Sequence, residues 1–358
     1  MENCLLIGNG LNRCLKTSSA WGELLKKTAD RLKVHYEEDI SMPLEFERIV
    51  NEYMSKVKDA AVLQELYNEI CKDYQKQLDS LGTGNKVRKI GYLDGKKTIR
   101  ALDTVYSIIK ADIAARIAHI ELPPDAIHRK IPELNPDAVM TTNYEFLLET
   151  AFDDNYSYNG KIMGPPKSIS RSTGVSGGVP FYHLHGITAL PSTICLGFEH
   201  YMYNVTKLSK ELNDEGQYPS LGKKIVKILA GTEKPQGIWG EKFFTSNIAI
   251  IGLGLTECES DIWWLLTQRA YLYYTNRFGM KDYLKNQIVF YDVLDDIEKN
   301  DPQKEEWRKR ANDGKRKLHK MMAQELITVK SYTIGKNCDS YEDAYDKIIL
   351  EIKNNGIL

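Results

Sequence analysis

The chain has 358 residues, 42% of them hydrophobic and 27% charged, which is enough to bury the core of one large domain or two modest ones. Its formal net charge of -1 gives no overall basic excess, so we expect no direct binding to nucleic acid. The six cysteines form no CxxC pair, which argues against a zinc ribbon and a disulfide framework. We find no signal-peptide pattern at the amino terminus and no apolar stretch that could span a bilayer, so we expect a cytoplasmic protein.

Short apolar runs predict the strands of a sheet. They cover residues 4–8, 138–142, 181–186, 247–254 and 287–293, and a more alternating run at 326–334 suits a sheet edge. Helical patterns follow the later runs, at residues 261–274, 302–326 and 341–353. Alternating strands and helices predict an α/β fold with a doubly wound, mostly parallel, Rossmann-like sheet.

Residues 21–130 are rich in helical patterns, with a break at 81–97. We interpret this region as a helical lobe inserted into a sheet domain made of residues 1–20 and 131–358. The alternative is that these helices only cover one face of the sheet. The region contains Tyr53, Tyr67, Tyr74 and Tyr106, more aromatic side chains than a covering layer requires, which favours an interface between copies of the chain.

A second unusual segment, residues 164–180, is rich in Gly, Pro and Ser. This composition predicts a loop without regular structure, typical of a mobile lid.

Four predicted strands end in small or neutral polar residues. In an open parallel sheet, ligands bind at the carboxyl ends of the strands, so these residues are candidates for one crevice. The first strand is followed by Gly8, Asn9, Gly10 and Asn12, the second by Thr141, Thr142 and Asn143, the third by His183, His185 and Gly186, and the fourth by Gly252 and Gly254, with Asp261 beyond.

Each group has an ordinary explanation when it is taken alone. The two glycines of GNG could make a plain turn, Asn143 could cap the next helix, and His183 and His185 could be satisfied polar groups on one face of a strand. Four such strand ends together favour a nucleotide crevice over four separate coincidences.

These residues resemble those of the sirtuin family. The Gly8–Asn12 turn is similar to the sirtuin Gly-Ala-Gly-Ile-Ser turn, TTNYE at 141–145 to Thr-Gln-Asn-Ile-Asp, LHG at 184–186 to the catalytic His-Gly, and GLGL at 252–255 to Gly-Thr-Ser-Leu. The flanking residues are still closer to the sirtuin-like domains of prokaryotic anti-phage defence proteins. Two substitutions, Asn12 for Ser and Glu145 for Asp, and the missing CxxC zinc module depart from the sirtuin pattern.

The resemblance implies an enzyme that cleaves NAD. Asn143 would position a water beside the nicotinamide ribose, and His185 would accept a proton. It also implies that the cofactor-binding residues are those at the strand ends: Gly8, Asn9, Gly10, Asn12, Thr141, Thr142, Gly186, Gly252, Gly254 and Asp261. NAD would be the substrate, and without CxxC pairs no zinc is expected.

Three functions are compatible with this pattern. The defence branch implies hydrolysis of NAD to nicotinamide and ADP-ribose, which would deplete NAD during infection. The alternatives are a non-catalytic module that binds NAD or ADP-ribose, and an NAD-dependent lysine deacylase. The retained Asn143 and His185 argue against the first alternative, and the missing zinc module argues against the second.

A hydrolase that depletes NAD must be kept inactive until it is needed. The sequence has no room for a sensor domain after the last predicted helix. We therefore expect control by homo-oligomer formation or by a separate regulatory protein, such as an ATPase.

Overall fold

A computed structural model describes residues 1–15, 21–38, 40–57, 60–80, 101–118, 123–158, 172–213, 221–295 and 302–355. Within these ranges the strands are β1 (Glu2–Ile7), β2 (Ala138–Thr141), β3 (Gly174–Ser176), β4 (Val179–His183), β5 (Ser246–Ile251), β6 (Ile288–Asp295) and β7 (Thr328–Ile334). The α-helices are α1 (Trp21–Leu32), α2 (Met42–Lys56), α3 (Ala60–Ser80), α4 (Ala101–Ala118), α5 (Leu147–Phe152), α6 (Phe198–Leu212), α7 (Leu221–Leu229), α8 (Trp239–Thr245), α9 (Ser260–Tyr274), α10 (Met280–Tyr283), α11 (Pro302–Gln324) and α12 (Tyr341–Asn355).

The strands form one sheet in the order β3-β4-β2-β1-β5-β6-β7. Every neighbouring pair is parallel except β3 and β4, which are antiparallel. The chain runs outward from β1 through β2 and β4 in one direction, and through β5, β6 and β7 in the other. This confirms the predicted α/β fold with a mostly parallel sheet and the predicted edge position of β7. In such an order, a ligand crevice lies outside the carboxyl ends of the strands, where the order reverses beside β1.

Alternating residues of the central strands face two separate hydrophobic layers. On β1, Leu6 packs into a layer formed with α6 to α11, whereas Leu5 and Ile7 pack into a layer formed with α5 and α12. Successive side chains of a strand point to opposite faces of a sheet, and both faces are covered here. This explains why the sequence of β1 is a continuous apolar run rather than an alternating one.

Two details of the sheet differ from the sequence expectation. Part of the glycine-rich segment predicted to lack regular structure, Gly174–Ser176, is the edge strand β3, which turns back into β4 through Gly177 and Gly178. In addition, β4 ends at His183, so His185 lies in the following turn rather than on the strand. The expectation that the two histidines share one strand face is therefore wrong.

Helices α1 to α4 lie between β1 and β2 in the chain and share one hydrophobic cluster. Tyr53 and Tyr67 are buried in this cluster, with 6% of each residue exposed, so they are not surplus surface aromatics as the sequence suggested. The cluster also includes Tyr144 and Leu196, which lie in the loops after β2 and β4. The predicted break at 81–97 lies outside the described residues. None of the described helices is both long enough and apolar enough to cross a membrane.

The turns after β1 and β5 pack directly on each other. The Gly10 N–H donates a hydrogen bond of 2.6 Å to the Gly252 carbonyl, and the Gly8 N–H donates one of 3.0 Å to the Ile251 carbonyl. A Cβ atom on Gly10 would lie 2.5 Å from the Gly252 oxygen, and one on Gly252 would lie 2.6 Å from the Leu11 nitrogen. Gly252 also has a φ of +64°, in the left-handed region that favours glycine. These glycines are therefore required by contact between two turns.

We predict that Gly252→Ala destabilises the protein by about 1–3 kcal/mol, because a side chain there combines an unfavourable φ with a clash against backbone. Gly254→Ala is the matched control, since its Cβ would meet no atom closer than 3.6 Å. Urea denaturation of both variants checks this. Equal midpoints for the two variants would contradict the role given to turn packing.

Candidate functional site

The loops that follow β1, β2, β4 and β5 converge at the carboxyl edge of the sheet. Hydrogen bonds join them in pairs: the Leu184 N–H donates to the Thr141 carbonyl at 2.8 Å, and the Thr142 N–H donates to the Ile7 carbonyl at 3.2 Å. The Thr188 N–H donates to the Tyr144 carbonyl at 2.9 Å. The structure therefore brings together residues that are far apart in the sequence, as the strand-end pattern predicts.

Asn143 is the unusual residue at this edge. Only 1% of it is exposed, yet neither Oδ1 nor Nδ2 of its side chain has a hydrogen-bond partner among the described residues. Its backbone is firmly held, because its N–H donates to Thr141 Oγ1 at 3.0 Å and its carbonyl accepts from His183 Nδ1 at 2.6 Å. Helix α5 begins at Leu147 with Phe146 as its N-cap, so Asn143 does not cap it. A buried, unpaired amide costs about 1–3 kcal/mol, which a ligand that bonds to it would offset.

His185 lies beside the Asp261 carboxylate. Its Nε2 is 3.3 Å from both oxygens of Asp261, and both residues are buried. Asp261 Oδ1 also accepts the Ile262 N–H at 2.9 Å, and Oδ2 accepts Asn204 Nδ2 at 3.2 Å. Since a carboxylate accepts, Nε2 carries the proton, and Nδ1 has no hydrogen-bond partner among the described residues. The ring thus presents Nδ1 as its proton-accepting atom. The family resemblance implies that Asp261 contacts the cofactor. In the structure its carboxylate lies against the His185 ring.

The charge of His185 depends on two acidic neighbours. Burial opposes the charged form and is the largest single effect, but Asp261 and Glu259 outweigh it, so the pKa of His185 is raised above its ordinary value. For Glu259, burial is the largest effect; it raises the pKa to about 7 with the help of Asp261, although His185 lowers it. Glu259 therefore exchanges a proton near neutral pH, which is typical of functional sites.

The loop after β5 that carries Glu259 is fixed by Trp263. The indole Nε1–H of Trp263 donates to the carbonyls of Leu255 and Thr256, at 3.2 and 3.0 Å. Leu255 has a φ of +45°, which a branched side chain rarely adopts. The loop therefore keeps a strained conformation that the helix behind it stabilises.

His183 forms a separate, deeper pair with Glu149. Its Nε2 lies 2.7 Å from Glu149 Oε1, and no part of either side chain is exposed. Burial, the largest effect, opposes a charge on His183, but the Glu149 carboxylate outweighs it, so the pKa of His183 is raised. His183 packs edge-on against Phe146, whereas His185 packs edge-on against Tyr201 of α6. The two histidines therefore have different carboxylate partners and different aromatic neighbours.

A third histidine pair, which the sequence analysis missed, lies beside the β1 turn. Nothing of His128 is exposed, its Nδ1 is 2.7 Å from Asp125 Oδ1, and its Nε2 is 2.9 Å from Asn12 Oδ1. The Asn12 Nδ2 donates to Asn9 Oδ1 and to Glu145 Oε1, both at 2.9 Å. The only sequence signal for this pair is the three-residue spacing of Asp125 and His128 in front of β2.

Several other candidate ligand contacts have structural roles. The Thr141 hydroxyl donates to the Ile7 carbonyl at 2.8 Å, which joins β2 to β1. Gly186 has a φ of +97°, and a Cβ there would lie 2.2 Å from the Thr193 carbonyl oxygen. Thr142 is 7% exposed, and Gly254 is exposed at the rim. Nearby, His200 Nδ1 accepts the Gly197 N–H at 2.9 Å at the start of α6. Arg171 of the glycine-rich segment lies outside the described residues.

Within the described residues there is no group of three or more His, Cys, Asp or Glu side chains that could hold a metal ion. The sequence matches no protein-family model and no curated protein.

We predict that His183→Ala destabilises the fold by about 3–5 kcal/mol, because it leaves the Glu149 carboxylate buried without a partner. The double variant His183→Leu, Glu149→Leu removes both groups and should recover most of the loss. Denaturant unfolding of the two variants checks this. If the single variant is as stable as the wild-type protein, the pair is not ionic.

Proposed function

We propose that the protein is an NAD glycohydrolase that cleaves NAD to nicotinamide and ADP-ribose at the carboxyl edge of the sheet. One observation carries this proposal: Asn143 is buried at the crevice with both polar atoms of its side chain unpaired among the described residues. An amide kept in this state suits a ligand that both donates and accepts hydrogen bonds, such as a ribose hydroxyl or a bound water.

In the proposed reaction, the bond between ribose C1′ and the nicotinamide nitrogen breaks, and its electron pair neutralises the cationic ring. The leaving group thus needs no proton, which fits a site that offers an amide and an imidazole rather than a pair of carboxylic acids. The Asn143 side chain holds the water whose oxygen forms the new bond to C1′. His185 Nδ1 takes the proton from this water and later releases it to solvent.

Asp261 supports this chemistry without touching the reacting atoms. It fixes the His185 ring through Nε2 and stabilises the imidazolium that forms when Nδ1 accepts a proton. The raised pKa of His185 strengthens it as a base.

The wider role follows from the same proposal. Residues 21–130 form a helical lobe inserted into the NAD-binding domain, and the enzyme depletes NAD as an effector of anti-phage defence. Self-assembly or a separate regulatory protein controls it. The structure gives no specific support to the alternatives, a binding module for NAD or ADP-ribose and a lysine deacylase.

We predict that Asn143→Ala and His185→Ala each lower the rate of nicotinamide release by at least about 100-fold, since a positioned water and a general base are both lost. The assay follows nicotinamide released from NAD by the purified protein, alone and with cell lysate. Asn247→Ala is the control, because its amide bonds to Asn3 at the opposite edge of the sheet, and it should keep the wild-type rate. A normal melting transition shows that each variant is folded. Near wild-type turnover by either site variant would overturn the assignment.

The pH dependence gives a second test. His185 must be neutral to act as a base, so activity should rise through a pKa above the ordinary value of ~6.5. Asp261→Asn removes the charge that raises this pKa, so the acidic limb of the pH–rate profile should move to lower pH. The plateau should also fall by at least about tenfold, because a neutral amide does not stabilise the imidazolium as the carboxylate does. An acidic limb at the same pH in both proteins would contradict the role of Asp261.

A further inference from the structure

The side-chain amide of Asn12 is almost fully used by protein neighbours. Its Nδ2 donates to Asn9 Oδ1 and to Glu145 Oε1, both at 2.9 Å, so both of its hydrogens are committed. Its Oδ1 lies 2.9 Å from His128 Nε2, which leaves one lone pair for any other group. Asn12 is 7% exposed. The amide is therefore built chiefly to join parts of the protein, and it has little capacity left to bind a ligand.

His128 holds the oxygen side of this amide, opposite the Glu145 carboxylate. Because Oδ1 of an amide only accepts hydrogen bonds, Nε2 of His128 must carry a proton and donate it. Asp125 Oδ1 accepts hydrogen bonds from the His128 ring at Nδ1, at 2.7 Å, and from the His128 backbone N–H, at 2.9 Å. The ring therefore cannot turn freely. His128 is fully buried. Rotating the amide of Asn12 by half a turn would place its oxygen against the Glu145 carboxylate, which only accepts hydrogen bonds, so Oδ1 faces His128 and Nδ2 faces Glu145.

The network joins three segments that reach the crevice separately. Asp125 and His128 precede β2, Asn12 follows β1, and Glu145 follows β2 only two residues after Asn143. The bond from Asn12 to Glu145 thus ties the β1 turn to the segment that carries the proposed water-holding amide. We propose that His128, held by Asp125, is a positioning residue that acts through Asn12 to fix Glu145 and the Asn143 segment for the reaction. This inference rests on the proposed NAD glycohydrolase function.

A double-mutant cycle on the full chain tests whether His128 acts through Asn12. The variants are His128→Phe, Asn12→Ala and the combination of the two, and the measurements are kcat and KM for nicotinamide release from NAD. We expect His128→Phe to lower kcat by about tenfold, because the hydrogen bond that holds the Asn12 amide in place is lost. In the Asn12→Ala background, the same change should have less than about a twofold effect, since no amide remains to be oriented.

Three further measurements separate positioning from general damage. Melting temperature gives the folded fraction, to which each rate is normalised. His128→Gln keeps an N–H donor and should recover part of kcat, whereas a packing role would be better served by Phe. The matched control is His319→Phe, which breaks another histidine–aspartate pair, with Asp292 at 3.0 Å, between α11 and β6. It should leave kcat unchanged.

The outcomes distinguish this inference from the proposed function. An active wild-type enzyme in which the two losses are additive, or in which normalisation for folded protein restores kcat, overturns the positioning role alone. If calorimetry shows that the wild-type protein neither binds nor cleaves NAD, with or without lysate, the proposed function is overturned and this inference with it.

Discussion

The burial of charge at the carboxyl edge of the sheet is the constraint on which the rest of the site depends. Moving an ionisable group out of water is costly unless a partner of opposite charge or a hydrogen bond compensates. Three histidines at this edge each have a carboxylate partner: His128 with Asp125, His183 with Glu149, and His185 with Asp261. Each pair occupies a different depth and serves a different backbone segment. Asn143 is buried beside them with both polar atoms of its side chain unpaired among the described residues, and this makes it the candidate for ligand contact.

Most of the fold could be predicted from apolar runs, because strands buried on both faces are continuous and apolar in sequence. The edge strand β3 could not, since Gly174–Ser176 pairs only with β4, and its sequence shows turn chemistry rather than a buried run. The hydrophobic pattern also could not predict the residue at which β4 ends. Residues FYHLHG continue the strand alternation, but the backbone leaves the sheet after His183, so His185 reaches Asp261 instead of following its neighbour.

The residues of the candidate site could also be predicted only in part from the sequence. The predicted parallel sheet made it possible to expect that Asn143, His185 and the β1 turn lie together, since parallel strands end at one edge. Their partners could not be predicted, because Glu149, Asp261 and His128 reach the site from helices and loops whose packing is set by the whole fold. The glycines show most clearly the limit of prediction from the sequence. The family resemblance implies that Gly8, Gly10 and Gly252 bind the cofactor, whereas the close approach that the structure shows is between the two turns themselves.

The helices between β1 and β2 contact the loop that carries His185. The Cys195 N–H donates to the His185 carbonyl at 2.8 Å, and the Tyr144 hydroxyl donates to the Cys195 carbonyl at 2.6 Å. Lys110 of α4 is buried, and its Nζ lies 3.5 Å from the Ser192 carbonyl in the same loop. Burial lowers the pKa of Lys110 to about 8, so a change in its surroundings can change its charge near neutral pH. Tyr144 also packs in the hydrophobic cluster of these helices, so the helices contact the His185 loop through both polar and apolar groups. The helices therefore support the loop that carries His185, although they supply none of the residues assigned to the chemistry.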